Sequence, residues 1–307
     1  MCYNMRKRGG GSEVLMPTAA LFSKEVCETM KKLIAAVLSV ALLAVSAFAF
    51  AACGDGNGDK PTLTVYTNAA FAPYEYMNDN GEIVGVDIDI AYEIGDVLGY
   101  NIEVRDVDFG AVFTNVQADP MSIGIAGITI NAEREATGIF SVEYATSIQY
   151  AIIPSDMNVD ANKNNDGSFK LSALAGKRIG VQESTTGNFL VEDAVNGTED
   201  EDTGEHVKGE LEDTNASCIT YSNGIVAGEN LGGQIDCLVI DQLPAESIAE
   251  GKTGYSVVKL DAEPESYGIY LNKEATELRD DINKVLQTMI DTGVIEYFTL
   301  KHSGAII

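Results

Sequence analysis

Beyond Lys60, short apolar runs alternate with amphipathic stretches, and this alternation restricts the fold of the 307-residue chain more than any other property. The runs 63–67 (LTVYT), 102–107 (IEVRDV), 122–128 (SIGIAGI), 178–182 (RIGVQ), 218–221 (CITY) and 237–241 (CLVID) have the length and β-branched content of buried strands. Stretches such as 87–99 (DIDIAYEIGDVLG) and 242–251 (QLPAESIAEG) carry helical spacing between them. Strand and helix in alternation predict an α/β chain with mainly parallel sheets flanked by helices. Asp87 is an expected N-cap, Gly99 an expected helix stop, and 78–81 (NDNG) an expected hairpin turn. One α/β set ends near Tyr144 and a second runs from about Lys177 to Leu260, while the terminal helical part 274–293 needs a sheet to pack on. That order implies two lobes joined by two chain crossings, which would act as a hinge.

Charge excludes one class of partner. A formal net charge of −27 and the absence of any basic cluster argue against nucleic acid, which needs a basic face. The segments 155–168 and 196–215 are polar and acidic, and the second is expected to be a solvated surface insertion. With only two histidines, His206 and His302, and no CxxC spacing, neither a metal nor a cofactor is expected.

The N-terminal region reads as an export signal. Met30 is the expected start, followed by Lys31, Lys32 and an uncharged apolar run ending in small residues before Cys53. Phe50-Ala51-Ala52-Cys53 resembles the lipobox of bacterial lipoproteins, with Phe where Leu is usual, and implies lipidation of Cys53. Cleavage after Ala49 or Ala51, or an uncleaved helix over 33–52, are the alternatives. Residues 1–52 are thus expected to be leader and signal peptide, and 53–61 a flexible tether.

In open α/β sheets a ligand sits beyond the carboxyl ends of the strands. Here those positions hold 67–76 (TNAAFAPYEY), 108–110 (DFG), 126–134 (AGITINAER), 182–187 (QESTTG) and Asp241. Aromatics, hydroxyls, one arginine and the carboxylate of Asp241 form an inventory suited to an amino acid. A guanidinium grips a carboxylate in two places, and a carboxylate accepts from an ammonium. Each residue also has a plainer reading: Arg134 could pair with Glu133 or Glu135, Asp241 and Thr185 or Thr186 could cap helices, and Phe71, Phe109 and Tyr74 could be core.

Taken in order, NAAFAPYEY, GEIVGVDIDIA, DFGA, AGITINAER, GVQESTTG, IDCLVID and YGIYL resemble the polar amino-acid-binding proteins of bacterial ABC importers, over Thr62 to about Ser303. The resemblance implies a two-lobed periplasmic-binding-protein type II fold, with lobe 1 at 62–146 and 266–307 and lobe 2 at 147–265. It implies that Arg134 holds the ligand α-carboxylate with Thr129 and Thr186, and that the Gly127 carbonyl and Asp241 take the α-ammonium. Phe71 and Phe109 would flank the ligand side chain, and Thr185 would belong to the G-T-T turn, here with Ser184 in place of Gly. Asn68 matches a position that is commonly aspartate in lysine and arginine binders, so an uncharged polar ligand is expected. The implied partners are a free amino acid, an ABC permease with its ATPase, and the membrane through the lipid anchor, with the receptor itself monomeric outside the cytoplasmic membrane. The alternative is an enzyme on the same fold, of the cyclohexadienyl dehydratase type, for which no spare general acid is evident.

Overall fold

The computed structural model describes residues 60–159, 162–200 and 202–305. The leader, Cys53 and the tether as far as residue 59 lie outside them.

The first apolar run becomes β1 (Thr62–Thr67), buried from Leu63 onward. Helix α1 (Val86–Leu98), β2 (Asn101–Asp106), α2 (Phe109–Ala118), β3 (Ser122–Gly124), the short α3 (Ala132–Glu135) and β4 (Ile139–Phe140) complete the outward pass through the first lobe. A crossing strand, β5 (Ala145–Ser147), leads to β6 (Gln149–Pro154), β7 (Arg178–Gln182), α4 (Thr186–Asn196), β8 (Ser217–Tyr221), α5 (Gly224–Glu229), β9 (Cys237–Asp241), α6 (Gln242–Ala249) and β10 (Tyr255–Lys259). The return crossing, β11 (Glu265–Tyr267), pairs antiparallel with β5 and leads to β12 (Tyr270–Leu271), α7 (Thr276–Asp291) and α8 (Val294–His302).

Two five-stranded sheets result, in the orders β2-β1-β3-β12-β4 and β8-β7-β9-β6-β10. The strands expected from the apolar runs are parallel within each sheet. Each sheet is mainly parallel with one reversed strand beside a crossing: β12 is antiparallel to β3 and β4, and β6 to β9 and β10. Cys218 and Cys237 sit on strands either side of β7, both level with Ile179, and both thiols are free.

Helix packing follows from sequence spacing. In α7 the buried Ile282, Val285, Leu286 and Met289 recur at helical intervals and lie in one core with Leu63, Val65, Ile90 and Ile94 of the first lobe. Burying such a side chain fully contributes about 1.5–3 kcal/mol. In the second lobe Ile179, Val181, Val191 and Val239 form a separate core. The acidic segment 196–215 is pinned to that core by Leu211, while its hairpin strands, Thr198–Glu199 and His206–Val207, stand exposed.

The start of α1 differs from expectation. Gly85, at φ 142°, is the N-cap, and Asp87 lies inside the first turn, fully buried. The Asp87 carboxylate accepts from the Gly127 N–H at 2.8 Å and from the Tyr144 hydroxyl at 2.9 Å, so it organises the cleft instead of capping the helix. Gly99 ends the helix in the left-handed conformation at φ 79°, and 78–81 turns between strands Glu75–Met77 and Ile83–Val84.

Candidate functional site

Eight of the nine expected positions line one cleft: Phe71, Phe109, Gly127, Thr129 and Arg134 from the first lobe, and Thr185, Thr186 and Asp241 from the second. The free space between these side chains is about 10 Å³, room for one water molecule, so the cleft is closed around its own side chains. Asn68 stands behind this wall. Its amide donates to the Val107 carbonyl at 2.8 Å and accepts from Gln182 Nε2 at 3.1 Å, which ties the lobes together.

Arg134 is set in place by its own helix. Asn131 caps α3 by accepting from the Arg134 N–H at 2.9 Å, and the side chain then turns inward with 7 % of its surface exposed. The guanidinium lies over the rings of Phe109 (5.3 Å) and Phe113 (5.0 Å), donates to the Thr129 carbonyl at 2.8 Å, and reaches the Ser184 carbonyl of the other lobe at 3.2 Å. Its partners are therefore rings and carbonyls, with neither Glu133 nor Glu135 among its ion pairs. Burial lowers its pKa to about 10, opposed mainly by the charge of Glu265. Arginine stays protonated at any physiological pH, so the cleft holds a fixed cation.

The second lobe supplies its groups from two strand ends. Thr185 is the N-cap of α4, accepting from the Asn188 N–H at 3.2 Å, so its capping reading holds while it also lines the cleft. Ser184, where a glycine is usual, holds the left-handed conformation at φ 64°. Asp241 stands at the N-cap position of α6 without a capping bond. Its carboxylate accepts instead from the Tyr267 hydroxyl at 2.6 Å, and burial, then the charge of Glu265, raises its pKa to about 6.

Three further polar groups belong to the cleft. Glu75 is buried and lines it; its pKa is raised well above the carboxylate range by burial and by Asp87, itself raised to about 6 by burial. Ionised, both Glu75 oxygens would lack a donor. Protonated, Glu75 donates to Asp87, and that is the consistent state of the pair. Gln182 lines the same wall. Glu265, on the return crossing, accepts from Thr129 at 2.5 Å, from Thr186 at 2.7 Å and from Gln149 at 2.9 Å. Glu75 stands inside the expected motif 67–76, and Glu265 stands two residues ahead of Tyr267, where strand alternation puts both on one face. Those were the available signals.

The cleft thus has a cation and hydroxyl groups at one end and a carboxylate at the other. Residues 63–305 match the sequence model of the bacterial extracellular solute-binding proteins, family 3. The chain belongs to this family. Among related family 3 proteins, the arginine-binding extracellular protein ArtP of Bacillus subtilis (strain 168) is 27% identical over 256 residues, covering 81% of this chain and 90% of ArtP. An ancestral arginine-binding protein solved with arginine is 28% identical with a TM-score of 0.67, covering 80% of this chain and 99% of that one. The same kind of protein solved with glutamine is also 28% identical, with a TM-score of 0.66 over 79% and 97% of the two chains. The two-lobed architecture is that of type II periplasmic binding proteins, and this family 3 chain is an amino-acid-binding protein rather than an enzyme. Among the described residues no helix is long and apolar enough to cross a membrane.

Proposed function

We propose that this solute-binding protein captures an amino acid with a basic side chain by closing its lobes, and delivers it to an ABC permease driven by its ATPase. Arg134, Thr129 and Thr186 take the α-carboxylate; the Gly127 carbonyl and Asp241 take the α-ammonium; Phe71 and Phe109 flank the side chain, and Thr185 holds the turn that presents Thr186. The observation that carries the reading is that Arg134 and Asp241, buried on opposite lobes, line one cleft. A ligand bridging them gains its full binding energy only when the lobes are together.

Glu75, a carboxyl in the cleft wall, favours a basic side chain. The expectation of an uncharged ligand rested on Asn68 as the group that reads the side chain, and it left Glu75 uncounted. A buried carboxyl lining the cleft can release its proton to meet a guanidinium or ammonium, whose charge restores the ionised form. Relatives named for arginine agree with this. A neutral, glutamine-like ligand is the second reading, favoured by the Asn68–Gln182 amide pair and by the ancestral protein solved with glutamine. A thermal-shift panel over the twenty amino acids separates them, since a ligand at ~100 times its Kd adds about 2.7 kcal/mol of stability. Arginine or lysine is expected to stabilise the wild type most, and Glu75→Gln to abolish that preference while sparing glutamine. Greatest stabilisation by glutamine, unchanged in Glu75→Gln, would establish the neutral reading.

The monomeric receptor is held outside the cytoplasmic membrane through lipidated Cys53. Cys53→Ser should leave ligand binding intact and move the protein from the detergent phase to the aqueous phase; unchanged partitioning would count against lipidation.

A further inference from the structure

Thr129 and Thr186 come from different lobes, yet their hydroxyls converge on one oxygen, Oε2 of Glu265, at 2.5 and 2.7 Å. The other carboxylate oxygen accepts from Gln149 at 2.9 Å. Glu265 belongs to neither sheet: it lies on the return crossing and is only half-buried. It is also the first charge acting to hold Arg134 protonated against burial. A carboxylate anchored in the hinge thus rests where the donors for a ligand carboxylate converge.

A threonine hydroxyl carries a single proton and can donate once. While Thr129 and Thr186 donate to Glu265 they cannot donate to an amino acid, and two carboxylates sharing those donors beside Asp241 would repel. We infer that Glu265 is an internal competitor of the ligand, occupying the α-carboxylate seat in the free protein and yielding it when an amino acid binds. The inference rests on the proposed roles of Thr129, Thr186 and Arg134. Tyr267, on the same face of β11, is differently placed. Its ring is wholly buried and edge-on to Tyr74 at 5.1 Å, so its bond to Asp241 stays while Glu265, with a flexible and only partly buried side chain, can withdraw.

An interaction made only by the free protein weakens binding, so removing it tightens binding. Calorimetric titration of the wild type, Glu265→Ala and Glu265→Gln with L-arginine and with L-glutamine provides the test. Glu265→Ala should bind whichever amino acid the wild type binds about tenfold more tightly. Glu265→Gln keeps an acceptor but loses the charge, and should fall between the two. Melting of the ligand-free variants should drop while melting of the saturated variants stays at the wild-type value. Weaker binding by both variants would make Glu265 a holder of the ligand and overturn the inference. So would equal losses of melting temperature in free and saturated protein with Kd unchanged, which is the signature of a structural brace. If no amino acid shifts wild-type melting, it is the amino-acid reading of the cleft that fails, a result separate from either of these.

Discussion

Arg134 carries a buried positive charge that rings and carbonyls orient and that no aspartate neutralises directly; Asp241, across the cleft, carries a carboxylate whose burial makes ionisation costly. In the proposed function each meets a charged group of the ligand. Arg134→Lys keeps the charge but loses the planar fork, and Asp241→Asn leaves a bound ammonium without its counter-charge; removing one partner of a buried pair costs on the order of 3–5 kcal/mol. Calorimetry should therefore record a loss of more than about a hundredfold in affinity for each. Asp241→Asn should also melt higher than the wild type without ligand, because it removes a carboxylate whose pKa burial has raised to about 6. Near-wild-type affinity would return Arg134 and Asp241 to ordinary structural roles. Arg134 was legible in the sequence because the chain uses arginine sparingly and this one follows a strand end. Glu75 and Glu265 were not, since an acidic residue in a motif is by default solvent-facing, and only the folded arrangement turns these two toward the cleft.

Two glycines at the ends of α1 separate steric need from conformational preference. A Cβ on Gly85 would stand 2.0 Å from the Tyr74 carbonyl oxygen, with φ at 142°, whereas one on Gly99 would meet nothing within 4 Å at φ 79°. Gly85→Ala should lower stability by more than about 3 kcal/mol, because the strand-to-helix junction that delivers Asp87 must shift. Gly99→Ala should cost about 1 kcal/mol, the strain of a left-handed alanine. Urea midpoints of the two variants give the comparison, and equal midpoints would contradict it. Length helped without deciding legibility, since the six-residue β6 is not among the expected apolar runs. β1, β7 and β9 have five or six residues and show as apolar runs. β4 and β12 have two residues each, too few for any periodicity, so the antiparallel half of the first sheet was invisible. The second-lobe edge strand β10 is intermediate in burial at every position, and its residues, YSVVK, mix polar with apolar side chains. Asp87 misled because it precedes a helical pattern, while the left-handed Gly85 that starts the helix announces itself only through close backbone approach.

Acidity acts on the molecule in two opposed ways. Asp87 and Asp241 have folded-state pKa values raised to about 6, and Glu75 is raised well above its ordinary value. Groups raised in the folded state contribute stability that is complete below their unfolded values and is lost as pH rises through the folded ones. Carboxylates lowered by surface partners, such as Asp89 and Asp166, act only near pH 4 and below. The ligand-free protein should therefore be more stable at pH 5 than at pH 8, by on the order of 2 kcal/mol. Affinity should move the other way, because protonated Asp241 cannot balance an ammonium. Calorimetric melting and ligand titration at both pH values check the pair of trends; a free protein that loses stability toward pH 5 would contradict the assignment. The strand order of the first sheet also governs the sequence of assembly. β12 lies between β3 and β4, so that sheet is severed until residue 271 has emerged, whereas every strand of the second sheet falls between residues 149 and 259. A chain made from its N-terminus has all the strands of its second lobe before those of its first, and β4 has no neighbour in its sheet until β12 arrives. The part of the protein that begins earliest is finished last, and the cleft comes into existence only when the end of the chain closes the gap.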